Sequence, residues 1–384
     1  MIPYGRQSIS EDDIAAVVAV LRSDWLTQGP AIERFEASVA ARCGARFAVA
    51  VSNATAALHL ACQALGLKPG GRLWTSPNTF VASANCGRYC GAEVDFVDID
   101  PRCYNLDPAA LAEKLAAADK QGRLPDVLVP VHFAGHSCDM AEIHRLAQHY
   151  GIAVIEDASH AIGGEYRGQP VGCCQYSDVT VFSFHPVKIV TSGEGGMLLT
   201  NREDLYRKLV RLRSHGITRD PAEMQGPADG AWYYQQIELG FNYRMTDIQA
   251  ALGESQMASL DGFIQRRRHW AERYAQALAG LDLVLPAERQ DILSAWHLYV
   301  IQLSDPERRK PVFDSLRQAG IGVNVHYIPV HLQPYYRELG FGPGDFPVAE
   351  AYYRRAMSLP LFAALADQDF CHVVDKLTEA LHES

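Results

Sequence analysis

Short apolar runs alternate with helix-like stretches through the first half of the chain, and this alternation limits the possible folds most strongly. The runs predict strands over 47–52, 72–77, 92–100, 126–133, 152–159 and 178–184. Residues 53–67 and 140–150 have the apolar spacing of helices between such strands. Strands separated by helices form a mostly parallel sheet with helices packed on its faces. We therefore predict an α/β fold for this half.

The pattern changes near residue 246. A helical stretch over 246–278 is followed by strand-like 296–303, helix-like 311–320, strand-like 321–329 and a last helix over 367–381. These elements predict a smaller α+β domain. We place the large domain at residues 1–245, including an N-terminal segment, and the small domain at residues 246–384.

Three consecutive arginines, Arg266–Arg268, lie in the predicted helix over 246–278. A charge run on a helix usually forms a solvated face, and this is the expectation here. The alternative is that the arginines contact the diphosphate of a nucleotide ligand.

Composition excludes several classes of partner. The 384 residues carry 35 Lys and Arg against 45 Asp and Glu, a net charge of −10, which disfavours nucleic-acid binding. No apolar run approaches the roughly 18 residues of a membrane span, and residues 1–13 do not resemble a secretory signal. Nine scattered cysteines are typical of a reduced protein, so we expect a cytoplasmic location.

Two histidine pairs raise the question of a metal site, His132 with His136 and His326 with His331. A structural or catalytic zinc site needs at least a third protein ligand, and none lies at a telling spacing. We therefore predict no metal.

Polar residues follow several predicted strands, where α/β sheets bind their ligands. Asp157 follows the apolar residues 153–155 and should lie at a strand end, and Lys188 lies among valines and isoleucine after the run over 178–184. Asn53 and Thr55 begin the helix over 53–67. Taken singly, each has an ordinary structural explanation: Asp157 as a cap or ion pair, Lys188 as a surface side chain, Asn53 and Thr55 as helix caps.

Together these residues fit one chemistry. A desolvated lysine has a lowered pKa and can attack a carbonyl, while a carboxylate can pair with a protonated ring nitrogen. A helix start with a hydroxyl can bind a phosphate, and Phe80, otherwise a core residue, can stack on a flat ring. These are the requirements of a pyridoxal phosphate site.

The sequence resembles the sugar-nucleotide aminotransferases of the DegT/DnrJ type, essentially from end to end. These enzymes have the aspartate-aminotransferase-like fold type I, with a large domain around a mostly parallel sheet and a smaller C-terminal α+β domain. The resemblance rests on IPYGRQ (2–7), SDWLTQGP (23–30), SNATAALHLA (52–61), EDASHAIG (156–163), SFHPVKIVTSGEGG (183–196), RSHGI (213–217), LGFNYRMTDIQAALG (239–253) and VHYIPVH (325–331).

The resemblance implies a role for each matched residue. Lys188 would hold pyridoxal 5'-phosphate as an internal aldimine, Asp157 would bind the pyridine nitrogen, and His160 would approach the phenolic oxygen. Phe80 would stack on the ring. The remaining cofactor contacts would be phosphate ligands, with Asn242 reaching the partner subunit's cofactor: Ala54, Thr55, Ser183 and Asn242. The sugar nucleotide would contact Tyr4, Asp24, Trp25, Leu26, Thr27, His185, His326 and Tyr327.

The resemblance also implies the reaction. A homodimer with shared active sites would move an amino group from L-glutamate, leaving 2-oxoglutarate, to C4 of a UDP-linked 4-keto-6-deoxy-N-acetylhexosamine, as in pseudaminic acid biosynthesis. Pyridoxamine 5'-phosphate would link the two halves of a ping-pong reaction. His185 before Pro186, and the GEGG stretch after Lys188, resemble members that act at C4 rather than C3.

Three alternatives remain. The same chemistry could act on another 4-keto-6-deoxy sugar nucleotide, such as a UDP-bacillosamine or GDP-perosamine precursor. Sugar dehydration is disfavoured because that branch of the family has histidine where this chain has Lys188. A non-catalytic binding protein with this fold is disfavoured because both Lys188 and Asp157 are present.

Overall fold

A mixed seven-stranded sheet forms the centre of the protein in the computed structural model, which describes residues 1–383. The spatial order of its strands is β1-β7-β6-β5-β4-β2-β3; β7 is antiparallel to both neighbours, and the other pairs are parallel. The α/β prediction is confirmed. In chain order the strands are β1 (Phe47–Val51), β2 (Arg72–Thr75), β3 (Glu93–Phe96), β4 (Val127–Val129), β5 (Ala153–Asp157), β6 (Val179–Ser183) and β7 (Gly196–Thr200).

Helices cover the sheet, and side chains cap several of their first turns. Ser10 and Thr246 each form a capping box, while the Asn53 and Asp107 side chains accept backbone N–H bonds. The helices of this part are α1 (Glu11–Leu21), α2 (Pro30–Cys43), α3 (Ala54–Ala64), α4 (Ala82–Tyr89), α5 (Pro108–Lys120), α6 (Met140–Tyr150), α7 (Glu203–Leu212) and α8 (Asp247–Ala258).

The C-terminal part has its own apolar core, in which Trp270, Tyr274, Tyr299 and Phe370 pack together. Its three-stranded sheet contains β8 (Leu283–Val284), β9 (Tyr299–Leu303) and β10 (Ala356–Leu359), all pairs antiparallel. Its helices are α9 (Leu260–Ala277), α10 (Arg309–Gln318), α11 (Pro334–Arg337), α12 (Pro347–Arg355) and α13 (Asp367–Glu383).

Short elements connect these parts. Five strands of two residues each form two small antiparallel sheets: Glu165–Tyr166, Gln169–Pro170 and Ile292–Leu293 form one, and Ile217–Thr218 and Gln235–Gln236 form the other. Three 3₁₀ turns occupy Phe133–Gly135, Pro306–Arg308 and Val330–Leu332. Helix α8 packs on α1 and α2. The division of the chain at residues 245 and 246 stays a prediction.

The structure corrects two predicted elements. The single helix over 246–278 is two helices, α8 and α9, which meet at Ser259. The strand predicted over 321–329 is wrong: this segment makes only isolated bridges, from Ile321 to Ile2 and from Asn324 to Ser358. Beyond Asn324 the segment turns toward the pocket described below, so its backbone does not continue a sheet ladder.

The solvated face predicted for Arg266–Arg268 is wrong for two of the three side chains: Arg266 is exposed, whereas Arg267 is buried and Arg268 is half-buried. Arg267 is 2% exposed and donates from Nη1 to the carbonyls of Trp296, His297 and Leu361. Arg268 pairs with Glu288, with the shortest N–O distance at 2.8 Å. Periodicity could not reveal this, because α9 carries its polar side chains into a contact with the loop before β9.

Candidate active site

A cavity of about 430 Å³ opens at the carboxyl ends of the parallel strands. It is bordered by the chain after β1, β2, β5 and β6 and by the segment 324–327. Most of the predicted site residues line it: Tyr4, Ala54, Thr55, Phe80, Asp157, His160, Ser183, His185, Lys188, His326 and Tyr327.

Lys188 lies in the loop that follows β6. Its backbone N–H donates to the carbonyl of His185 at 2.9 Å, which closes a tight turn after Pro186. Burial lowers the pKa of Lys188 to about 8, and the charge of Asp157 opposes this shift. Near neutral pH a usable fraction of the amine is therefore uncharged and nucleophilic.

Asp157 is the last residue of β5, and its carboxylate is buried at 5% exposure. The hydroxyl of Ser83 donates to Oδ2 at 2.6 Å, and the hydroxyl and backbone N–H of Ser159 donate to Oδ1 at 2.6 and 3.1 Å. A buried carboxylate is costly unless it is paired in this way. These donors suit an ionised carboxylate facing the cavity.

The start of α3 provides a cradle for a phosphate. The Asn53 side chain accepts from the N–H of Ala56 at 2.8 Å, so the N–H groups of Ala54 and Thr55 stand at the open end of the helix. Gly196 begins β7 opposite this turn, and a Cβ there would lie 2.7 Å from the Ala54 nitrogen. The Ser183 hydroxyl at the end of β6 lines the same cavity. A phosphorylated cofactor fits these residues.

His160 is held as a neutral base. The N–H of Ala134 donates to Nδ1 at 3.3 Å, so the ring proton belongs on Nε2, which lies 3.2 Å from the hydroxyl of Tyr327. Burial and the charge of Lys188 hold the pKa of His160 well below its usual value. His160 can therefore donate a hydrogen bond from Nε2 into the cavity.

The mouth of the cavity is formed by aromatic and polar side chains. Phe80 is 58% exposed, and its ring centroid lies 6.3 Å from that of Tyr327. Tyr4 lies 5.2 Å from the His326 ring, whose Nδ1 is 2.7 Å from the Ser358 hydroxyl. Burial lowers the pKa of His326 to about 4, so this ring is neutral.

Five predicted residues do not line this cavity. Asn242 and the segment 24–27 are exposed. The Leu26 carbonyl accepts from the N–H of Asp247 at 3.0 Å, and Thr27 forms an isolated bridge with Thr246. Their contacts with substrate, and that of Asn242 with the partner's cofactor, stay predictions.

Several lining residues were missed in the sequence: Thr79, Ser83, Ser159, Glu194 and Asn324. Ser159 lies two residues after Asp157, a spacing that could have indicated a hydrogen bond to its carboxylate. The sequence holds no comparable signal for Ser83 or Asn324, because each approaches the cavity from a distant part of the chain.

The four histidines considered for a metal make hydrogen bonds within the protein. His132 Nε2 lies 2.8 Å from Glu156, and His331 Nε2 lies 3.0 Å from Glu350. His136 Nδ1 lies 3.0 Å from the Ser137 carbonyl. Across residues 1–383, no three His, Cys, Asp or Glu side chains form a group that could hold a metal ion.

Comparison with known proteins identifies the family. Residues 7–378 match the model of the DegT/DnrJ/EryC1/StrS aminotransferase family. The chain belongs to this family. It is therefore a sugar aminotransferase, and enzymes of this family depend on pyridoxal phosphate. None of the helices in residues 1–383 has the length and apolar character needed to span a membrane.

Three family members illustrate the similarity. The spore coat polysaccharide biosynthesis protein SpsC of Bacillus subtilis is 39% identical, covering 100% of this chain and 96% of SpsC. Helicobacter pylori PseC, an aminotransferase of pseudaminic acid biosynthesis, is 28% identical, with a TM-score of 0.92 and 100% of both chains covered. Spr1654 of Streptococcus pneumoniae, in its PMP form, is 29% identical, with a TM-score of 0.91 and 100% of both chains covered; a PLP form is also known.

Proposed function

We propose that the enzyme moves an amino group from L-glutamate to C4 of a UDP-linked 4-keto-6-deoxy-N-acetylhexosamine. One observation carries the proposal: Lys188 and Asp157 lie at neighbouring strand ends and line one cavity with the start of α3. Bound pyridoxal phosphate supplies the electron sink for removing the α-proton of an amino acid.

The residues then have distinct tasks. Ala54, Thr55 and Ser183 bind the cofactor phosphate, and Phe80 stacks on the ring. Asp157 holds a proton on the ring nitrogen, and His160 donates from Nε2 toward the phenolic oxygen. Lys188 takes the proton from the α-carbon of glutamate and later delivers one to C4 of the sugar from one face. Its lowered pKa favours the first of these transfers.

The choice of sugar nucleotide is supported by similarity. PseC, a relative over the full length, acts in the biosynthesis of pseudaminic acid. His185 and the GEGG stretch resemble family members that act at C4. Tyr4, His326 and Tyr327 lie at the mouth of the cavity, where they can contact the sugar. SpsC points to a second class of product, a spore coat polysaccharide.

We also infer a homodimer with shared active sites, working in the cytoplasm. Large apolar side chains are exposed in the segment 24–27 and close to Asn242: Trp25 is 54%, Leu26 49% and Leu239 78% exposed. Monomeric proteins seldom leave several large apolar side chains exposed close together, so we expect a second copy of the chain to bury them. Asn242 then reaches the partner's cofactor, and residues 24–27 contact the sugar nucleotide.

Absorbance spectroscopy of purified protein loaded with pyridoxal phosphate tests the proposal. Addition of glutamate should convert the spectrum to that of the pyridoxamine form, and the proposed UDP-linked 4-keto sugar should restore the original band. NMR of the product should place the new amine at C4. Restoration only by a GDP-linked or another UDP-linked keto sugar would overturn the substrate, and an amine at C3 would overturn the regiochemistry.

A further inference from the structure

A chain of hydroxyl groups ends on the carboxylate of Asp157. Ser83 is 1% exposed and donates to Asp157 Oδ2 at 2.6 Å. Thr79 is 2% exposed, and its Oγ1 lies 2.7 Å from the Ser83 oxygen. Ser83 is in the first turn of α4, and Thr79 lies just before that helix, four residues earlier.

The direction of this chain follows from counting protons. A serine hydroxyl has one hydrogen, and an ionised carboxylate can only accept. The Ser83 hydroxyl therefore donates its hydrogen bond to Asp157. The Ser83 oxygen is left as an acceptor, so the Thr79 hydroxyl donates to it. A hydroxyl that is itself a hydrogen-bond acceptor becomes a stronger donor, so Thr79 reinforces the bond that Ser83 makes.

We propose that Ser83 is a positioning residue that, together with Thr79, fixes the ionised state of Asp157 and thereby the charge on the cofactor's ring nitrogen. The inference rests on the proposed function, in which Asp157 faces that nitrogen. Hydrogen bonds to a carboxylate stabilise its ionised form. Without Ser83, Asp157 competes more strongly for the shared proton, and the ring loses positive charge.

The consequence is measurable at Lys188. A less positive ring withdraws less electron density from the nitrogen that joins Lys188 to the cofactor, so this nitrogen keeps its proton to a higher pH. The absorbance band of the bound cofactor reports that proton directly. We expect Ser83→Ala to raise the pH midpoint of the band by about half a unit or more. Thr79→Val should raise the midpoint by less, because it weakens the hydrogen bond from Ser83 to Asp157 without removing it.

Two further variants separate this effect from general damage. Ser83→Thr keeps the hydroxyl and should return the midpoint toward that of the unaltered enzyme. Ser76→Ala removes an equally buried hydroxyl from the loop between β2 and α4; this hydroxyl accepts from the N–H of Asn78 at 3.1 Å and is not bonded to Asp157. Its midpoint should not move.

The outcomes are distinguishable. An unchanged or lowered midpoint in both Ser83→Ala and Thr79→Val, with normal cofactor binding, overturns the inference and leaves the proposed function intact. Equal shifts in Ser83→Ala and Ser76→Ala also overturn it. Unaltered protein that forms no such band with pyridoxal phosphate overturns the proposed function, and the inference with it.

Discussion

Burial favours the uncharged forms of several nitrogen bases that line the cavity. Desolvation lowers the pKa of Lys188 to about 8 and of His326 to about 4, and it holds the pKa of His160 well below its usual value. The Asp157 carboxylate, with three hydrogen-bond donors, supplies a negative charge in this setting. Lys188 is therefore partly uncharged near neutral pH, and the uncharged amine is the form that attacks a carbonyl.

The rate at which cofactor-free protein captures pyridoxal phosphate should rise with pH and be half-maximal near the Lys188 pKa of about 8. The sign follows because only the deprotonated amine attacks the carbonyl. Asp157→Asn should move the midpoint lower, since the carboxylate's charge raises the pKa of Lys188. Stopped-flow absorbance measures the rate, and Lys188→Ala, which has no amine, is the control. A midpoint near the ordinary lysine value would contradict the prediction.

At the scale of elements, the approach of β7 to the start of α3 forms the phosphate cradle. Gly196 pairs with Val51 of β1, the strand that leads into α3, and with Ser183 of β6. It therefore lies between the two groups of phosphate-binding residues. A side chain at Gly196 would lie 2.5 Å from the carbonyl carbon of Asn53. Backbone cannot yield as a flexible side chain can, so the helix start would have to move.

Gly196→Ala should lower the free energy of unfolding by about 1–3 kcal/mol because it overpacks this junction. It should also weaken pyridoxal phosphate binding, since displacement of the helix start moves the N–H groups of Ala54 and Thr55. Thermal unfolding and a cofactor titration measure the two effects. Gly262→Ala is the matched control: Gly262 lies in α9 with open space around it, so alanine should leave binding unchanged. Equal affinities of the two variants for pyridoxal phosphate would contradict the placement of the phosphate site beside Gly196.

A buried arginine of helix α9 makes hydrogen bonds to other segments of the C-terminal part. Arg267 donates to the carbonyls of Trp296 and His297, which are adjacent in the loop before β9, and to that of Leu361 after β10. The side chain is buried, and this burial lowers the pKa of the guanidinium to about 10. Such a group connects elements that are distant in sequence.

Arg267→Ala should lower the free energy of unfolding by about 3 kcal/mol, because it leaves buried carbonyls unpaired and opens a cavity. Urea denaturation followed by circular dichroism measures this change. Arg102→Ala removes an arginine whose side chain is 87% exposed, and it should have no measurable effect. An Arg267→Ala midpoint equal to that of the unaltered protein would mean that these bonds contribute little.

At the scale of the whole molecule, the proposed dimer makes each active site depend on two chains. Lys188→Ala and Asn242→Ala should each be impaired alone, the first by loss of the amine and the second by loss of a phosphate contact to the partner. After unfolding and refolding together, half of the dimers are mixed, and each mixed dimer has one intact site. About a quarter of the sites should therefore regain full activity.

The control for this experiment is each variant refolded alone. Sedimentation of the mixture should show the mass of two chains. Activity no greater than the average of the two separate variants, in a mixture that sediments as dimers, would contradict sharing of the site.

Much of the fold could be predicted from the sequence because strands and helices have local patterns of apolar residues. The seven strands of the central sheet include the six predicted runs, and α6 has the predicted bounds, Met140–Tyr150. The strand predicted over 321–329 is wrong because alternating apolar residues are typical of a strand, but no neighbouring strand forms continuous hydrogen bonds with this segment. The solvated face predicted for Arg266–Arg268 is wrong at Arg267 and Arg268, because charge alone does not indicate which groups a helix will contact.

For the site, sequence alone indicated Lys188, Asp157 and the start of α3, because strand ends in an α/β sheet converge on one edge. Resemblance added His160, Ser183 and the residues at the mouth of the cavity, all of which line it. Only the tertiary structure brought Ser83 to Asp157, 74 residues apart in the chain. Local patterns encode which segments become strands and helices, but hydrogen bonds between distant segments depend on how those elements pack, and no spacing in the sequence records that.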